Sequence, residues 1–276
     1  MIQLGIFNSL EIKREAPPGL YLIDSDGEEI LLPNKFITDT MKIGDEISVF
    51  VYTDSEDRLV STTQKPLIEL GGFAYLEVIS VTNYGAFLDW GLDKDLFVPF
   101  KNQAAEMELG KKYIVHLYED LDSDRLVASS RYNTFLEDVT TDIKNWDKVN
   151  LLVCGVSDLG VNLIVNNKYR GLVYHNQVFK KMFPGDVLEG FVSKLREDGK
   201  IDISLEPLGY LNIEPNSQKI LDEMKAQGGV LYLHDKSDAE EIKSQLEMSK
   251  KVFKKAIGAL YRQRLIVLND DSIALV

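Results

Sequence analysis

The sequence of 276 residues contains one cysteine and three histidines. Cys154 has no partner for an internal disulfide, and its setting in NLLVCGVSD reads as a buried strand rather than a reactive thiol. His116, His175 and His234 lie far apart and none neighbours Cys154, which excludes any familiar zinc spacing. Neither the P-loop pattern GxxxxGK nor the dinucleotide fingerprint GxGxxG occurs. No apolar run is long enough to span a bilayer, and no basic-then-apolar leader precedes the first strand-like stretch, so the expected address is the cytoplasm, away from membranes. Carboxylates are plentiful but recur at equivalent turns, which spreads them instead of converging them as metal-dependent hydrolysis requires. The expectation is a protein with no catalytic site, no metal and no cofactor.

Positive charge is also scarce. Lys and Arg number 31 against 44 Asp and Glu, for a net −13. A strong nucleic-acid binder carries the opposite sign. The deficit is uneven: formal charge is −6 over 1–66, −5 over 67–135, −2 over 136–207 and zero over 208–276. A polyanion should therefore prefer the C-terminal half, and charge alone would hold it weakly in salt.

An internal repeat organises what is present. Three segments begin with strands, LGIFNSLEI from Leu4, GGFAYLEVISV from Gly71 and NLLVCGVSD from Asn150. Each continues to an apolar triplet before Pro or His: Ile30–Pro33, Leu96–Pro99 and Leu172–His175. Gly44, Gly110 and Gly185 then launch long strands, acidic turns follow, and Arg58, Arg125 and Lys200 open the closing strands. The spacing from turn glycine to closing cation is 14, 15 and 15 residues. Five short alternating strands per unit is the count of a small OB-type barrel. The boundaries read as 1–66, 67–135, 136–207 and 208–276, the last being a different module.

The middle unit, with NYGAF at Asn83–Phe87 and DSDRLVAS at Asp122–Ser129, closely resembles the RNA-binding domain of ribosomal protein S-one. The resemblance is specific over 71–131, weaker over 148–207 and weakest over 2–66. It implies an exposed face on which Tyr84, Phe87 and Phe97 stack unpaired bases and Arg125 meets phosphate. Phe87 and Phe97 can equally be read as barrel core, and Arg125 as paired with Asp122 or Asp124 in its own turn. The first unit has APPGLY where the aromatic turn belongs, leaving only Tyr21, and is expected to serve packing. The third has Leu159 and Val161 at the aromatic places and compensates with Tyr169, Arg170, Tyr174 and His175, the last being more simply a neutral polar residue.

After Pro207 the apolar period changes from two to 3.6. Asn216 or Ser217 is expected to cap a helix over Gln218–Ala226 that ends at Gly228 and Gly229. Ser237, with Glu240 completing a capping box, should open a second helix, and Ser249 a third. Two short strands in RLIVLND and DSIALV complete the order of a winged helix. Lys250, Lys251, Lys254, Lys255, Arg262 and Arg264 place six cations within 15 residues at the position of a recognition helix. The same cluster also fits a solvated helix face or a protein-docking surface.

Three barrels and a winged helix, mainly β with a C-terminal α+β module, resemble the conserved virulence factor B family of bacteria, which implies an RNA-binding regulator. Single-stranded RNA is the expected partner. The alternatives are a protein–protein adaptor whose acidic barrels dock on a basic partner, and a DNA-binding transcription factor acting through the winged helix.

Overall fold

The computed structural model describes residues 1–138, 142–178, 181–205 and 215–276, grouped into two units, Met1–Ile203 and Ser204–Val276. The boundary expected at 207 and 208 lies outside the described residues.

Three five-stranded sheets make up the first unit. β1 (Phe7–Ala16), β2 (Gly19–Ile23), β3 (Glu29–Pro33), β4 (Glu46–Thr53) and β5 (Leu59–Thr62) form a barrel in the order β1-β2-β3-β5-β4. It closes through a short parallel pairing of Leu31 with Val60. β6 (Phe73–Thr82), β7 (Gly85–Asp89), β8 (Leu96–Pro99), β9 (Lys112–Asp120) and β10 (Arg125–Ser129) keep the same connectivity as a five-stranded sheet, β10-β9-β6-β7-β8. Across the seam between β8 and β10, Asn102 takes the place of a ladder. Its Nδ2 donates to the Ala128 carbonyl at 3.3 Å, and its own carbonyl accepts from Ser129 Oγ at 3.0 Å. β11 (Lys148–Val156), β12 (Gly160–Val165), β13 (Tyr169–Tyr174), β14 (Val187–Leu195) and β15 (Ile201–Ser204) close again, with Gly171 opposite Ile201.

The repeat seen in sequence is a repeat of backbone chemistry. Each first strand carries an irregularity at the same place, between Ile12 and Arg14, Val78 and Ser80, and Val153 and Gly155. A bulge leaves ladder groups without partners and bends the strand. The turn glycines supply the partner: Gly44, Gly110 and Gly185 N–H groups donate to the Ile12, Val78 and Val153 carbonyls, each at 2.8 Å. A second glycine opens β2, β7 and β12. Gly19, Gly85 and Gly160 have φ of +153°, +154° and +159°, and a Cβ there would lie 2.0–2.2 Å from the carbonyl oxygen of Leu32, Val98 or Val173. Only glycine lets the two strands approach so closely.

The sheets share apolar packing. Trp90 is 3% exposed and meets Phe50 and Tyr52 of the first barrel edge-on, at centroid distances of 5.8 and 6.4 Å. Between the second and third, Phe73 and Ile114 pack with Leu136, Leu152 and Ile164.

The second unit runs α1 (Pro215–Ala226), β16 (Val230–Leu231), α2 (Ala239–Leu246), α3 (Lys250–Arg262), β17 (Ile266–Leu268) and β18 (Ile273–Leu275), the order of a winged helix. Two expected caps are corrected. α1 begins at Pro215, a residue suited to a first turn, and Ser217 is buried inside it with its hydroxyl donating to the Ala256 carbonyl at 3.4 Å. Asp238, not Ser237, caps α2 by accepting from the Glu240 N–H at 2.8 Å, while the Ser237 hydroxyl oxygen accepts from the His234 N–H. Ser249 caps α3 as expected, accepting from Val252 N–H. Phe253, Ile257 and Leu260 of α3 join Ile220, Leu221 and Met224 of α1 in the core.

Candidate nucleic-acid interface

The close approach at Gly85 sets the geometry of the middle sheet's outer face. Gly85 pairs with Pro99, so Phe87 falls opposite Phe97. Period-two alternation sends Ala86, Leu88, Leu96 and Val98 into the core and leaves these two rings half-buried outside it. Their centroids are 5.0 Å apart with planes inclined by 35°. Tyr84, on the turn just before the glycine, is 80% exposed. Phe100, in the turn after β8, is also exposed and was missed in sequence, where an aromatic directly after Pro99 was the available signal.

Arg125 is exposed but pairs with neither Asp122 nor Asp124. Its guanidinium binds Asp57 of the first barrel, which also receives the Lys94 ammonium at 3.1 Å. The Lys94 and Arg125 partners hold the Asp57 carboxyl below the usual carboxylate range.

The third barrel departs from expectation in two places. Register puts Leu159 at the place of Tyr84 and Leu172 at that of Phe97, but Asn162, not Val161, at that of Phe87. Val161 points inward and is buried. Tyr169, read from sequence as an RNA contact, is completely buried, and its hydroxyl donates to the Asp142 carboxylate. No base can stack on a ring without exposed surface. That hydrogen bond lowers the Asp142 pKa below its ordinary value. Arg170 pairs with Asp138 and donates to the Asn133 carbonyl at 2.6 Å. Tyr174 is half-buried with its hydroxyl 3.4 Å from Asp202, and His175 is exposed with Nε2 2.9 Å from the Ser157 carbonyl.

In the first barrel Tyr21 occupies the place of Phe87, and the Arg14 guanidinium lies 3.7 Å above its ring while pairing with Glu29 at 2.7 Å. An internal cation thus covers the face on which a base would stack. Cys154 is half-buried, and burial pushes its thiol up to about 11, which leaves it protonated at neutral pH.

On α3, Lys251, Lys254, Lys255 and Arg262 are exposed, as is Arg264 just beyond it. Lys250 is half-buried and donates to the Lys236 carbonyl at 3.2 Å, and the Arg262 Nε–H donates to the Gly258 carbonyl at 3.1 Å. Among the described residues no three His, Cys, Asp or Glu side chains gather as a metal site. No helix among them is long and apolar enough to cross a membrane.

Comparison with known proteins agrees with this architecture. The S1 domain model matches residues 4–64 and 70–131, so it covers the first segment, where the resemblance in sequence is weakest, in addition to the second. The CvfB-like winged helix domain model matches residues 218–275. The uncharacterized protein YitL of Bacillus subtilis is 27% identical over 262 residues, covering 92% of this chain and 87% of its own length. Conserved virulence factor B of Staphylococcus saprophyticus is 27% identical over 260 residues, 91% of this chain and 87% of the relative. A solved multidomain protein with nucleic acid binding domains from Streptococcus pneumoniae is 24% identical, with a TM-score of 0.43, over 99% of this chain and 98% of that one. With S1 domains in front, a CvfB-like winged helix behind and relatives of that name aligned over nine-tenths of its length, the chain belongs to the conserved virulence factor B family.

Proposed function

We propose that this protein is a cytoplasmic regulator that binds single-stranded RNA and has no catalytic activity of its own. The observation that carries the reading is the aromatic face of the middle sheet: Tyr84 80% exposed beside the outward pair Phe87 and Phe97. Flat rings outside a barrel, next to a turn fixed by glycine, suit unpaired bases of any sequence, at about 1–3 kcal/mol per stacked base. The cation-rich α3 supplies a second anchor for phosphates, through Lys251 and Lys254 above all. Duplex DNA is the other ligand that α3 could take.

Fluorescence anisotropy with a labelled pyrimidine-rich single strand tests the reading. Tyr84→Ala combined with Phe87→Ala should weaken binding by about tenfold or more, since two stacked bases lose their platforms. An unchanged dissociation constant would remove the middle sheet from the mechanism.

One observation favours a second reading, a protein adaptor. Arg125, Lys168 and Arg170 of the barrels are all paired with carboxylates of the chain itself. An adaptor would show negligible RNA affinity at physiological salt and would co-purify with a basic protein.

A further inference from the structure

Between the second and third sheets, the carboxylates of Glu137, Asp138 and Asp142 meet two cations of the third barrel, Lys168 and Arg170. Glu137 lies 3.5 Å from the Lys168 ammonium, Asp142 lies 3.3 Å from the same group, and Asp138 pairs with Arg170. The backbone at residues 136–138 is fixed independently. The Glu137 N–H donates to the Lys168 carbonyl at 2.9 Å, and Leu136 is buried against Leu152 and Ile164 on the barrel's outer face. A Cβ on Gly199 would lie 1.9 Å from the Asp138 carbonyl oxygen, so the chain at Asp138 also lies tightly against the β14–β15 turn.

Beside this strap lies a cavity of about 290 Å³, whose lining includes Asn133, Asn162, Arg170, Arg196 and Lys200. Three cations around one small cavity suit a phosphate better than a base. Asn162, standing where the middle sheet has Phe87, offers hydrogen bonds in place of a ring. Each of the three cations is at present answered by a carboxylate of the chain, Arg196 and Lys200 by Asp198 at 3.4 and 3.3 Å.

We propose that this edge of the third barrel is a phosphate-binding site for single-stranded nucleic acid, whose Arg170 is engaged in cis by Asp138 of the acidic strap. The proposal rests on the RNA reading above and adds the third barrel's ligand and its control. A carboxylate and a phosphate engage a guanidinium fork in the same way. The side chain of Asp138 is 71% exposed, and exposed ion pairs are held weakly, so an incoming phosphate can displace the carboxylate while Leu136 keeps the backbone in place. The strap therefore sets a threshold, favouring strands that reach both the stacking face and this edge over isolated phosphates.

The test is anisotropy with a labelled pyrimidine-rich single-stranded RNA on the full chain. Neutralising the strap with Glu137→Gln and Asp138→Asn should tighten binding about threefold or more. It should also steepen the salt dependence, by about 0.7 in log–log slope for each phosphate newly engaged. Adding Arg170→Gln should abolish the gain. A control pair of equal charge change on exposed acids elsewhere, Glu106→Gln with Asp122→Asn, should give a smaller effect. Equal gain from the control pair, or no gain from the strap pair, overturns the proposal. If the Tyr84 and Phe87 substitutions still weaken binding in that case, the stacking reading stands without the strap. If the wild-type chain binds no RNA at all, both readings fall.

Discussion

Replacing Trp90 with alanine should destabilise both the first and the second sheet, because one indole fills the space between them. The ring is 3% exposed and lies edge-on to Phe50 and Tyr52 across the boundary, and its N–H donates to the Lys94 carbonyl. Truncating a buried Trp to Ala costs about 3–5 kcal/mol through lost transfer energy and the cavity left behind. Each edge-to-face pair contributes about 0.5–1.5 kcal/mol of that beyond area burial. Since Phe50 belongs to the first barrel and Trp90 to the second, Phe50→Ala and Trp90→Ala should be non-additive, with a coupling of about 1 kcal/mol. The assay is urea denaturation read in parallel by far-ultraviolet circular dichroism and by the fluorescence of the remaining Trp146. A Trp90→Ala chain within about 0.5 kcal/mol of wild type, or a double variant whose loss is the simple sum of the two, would refute the idea that the two sheets share a core.

Further outcomes follow from the same geometry. Gly85→Ala should destabilise the middle sheet by well over the ~1 kcal/mol ordinary cost of a strained backbone, because its Cβ would lie 2.2 Å from the Val98 carbonyl oxygen, and a denaturant midpoint near wild type would contradict it. His116 is buried between Phe73 and Phe135, and burial lowers its pKa, so the folded state prefers the neutral ring. Its contribution to stability is therefore present above about pH 6.5 and is lost as pH falls through the depressed folded value; His116→Phe should flatten that part of the profile. The Cys154 thiol, pushed up to about 11, should react slowly with a thiol reagent at neutral pH and rapidly once urea unfolds the chain. Charge reversal at Lys251 and Lys254 should weaken RNA binding and flatten its salt dependence, by about 0.7 in slope per lost phosphate contact.

The fold was legible where chemistry is local. Gly44, Gly110 and Gly185 stand out in sequence because each must answer the same bulge, and Ser249 because a cap needs only its own helix. The order of strands and helices followed from such punctuation. What stayed hidden depends on partners distant in sequence. Arg125 is claimed by Asp57, 68 residues away, and Tyr169 by Asp142, 27 residues away, and neither pairing leaves a mark in the local pattern. The third barrel's face was misplaced by one residue, which in a strand of period two exchanges inside for outside: Val161 went to the core and Asn162 to the surface. The caps at Ser217 and Ser237 failed for a different reason. Both hydroxyls are used, but each by a different N–H or carbonyl from the one a cap would engage.

The most direct measurement is photocrosslinking of the full chain to single-stranded RNA carrying 4-thiouridine, with the adducts located by mass spectrometry. Stacking on the middle sheet puts the base against the rings of Tyr84, Phe87 and Phe97, so adducts should concentrate on peptides spanning residues 83–99. Adducts confined to α3, or absent from that stretch under conditions where RNA is bound, would contradict the account.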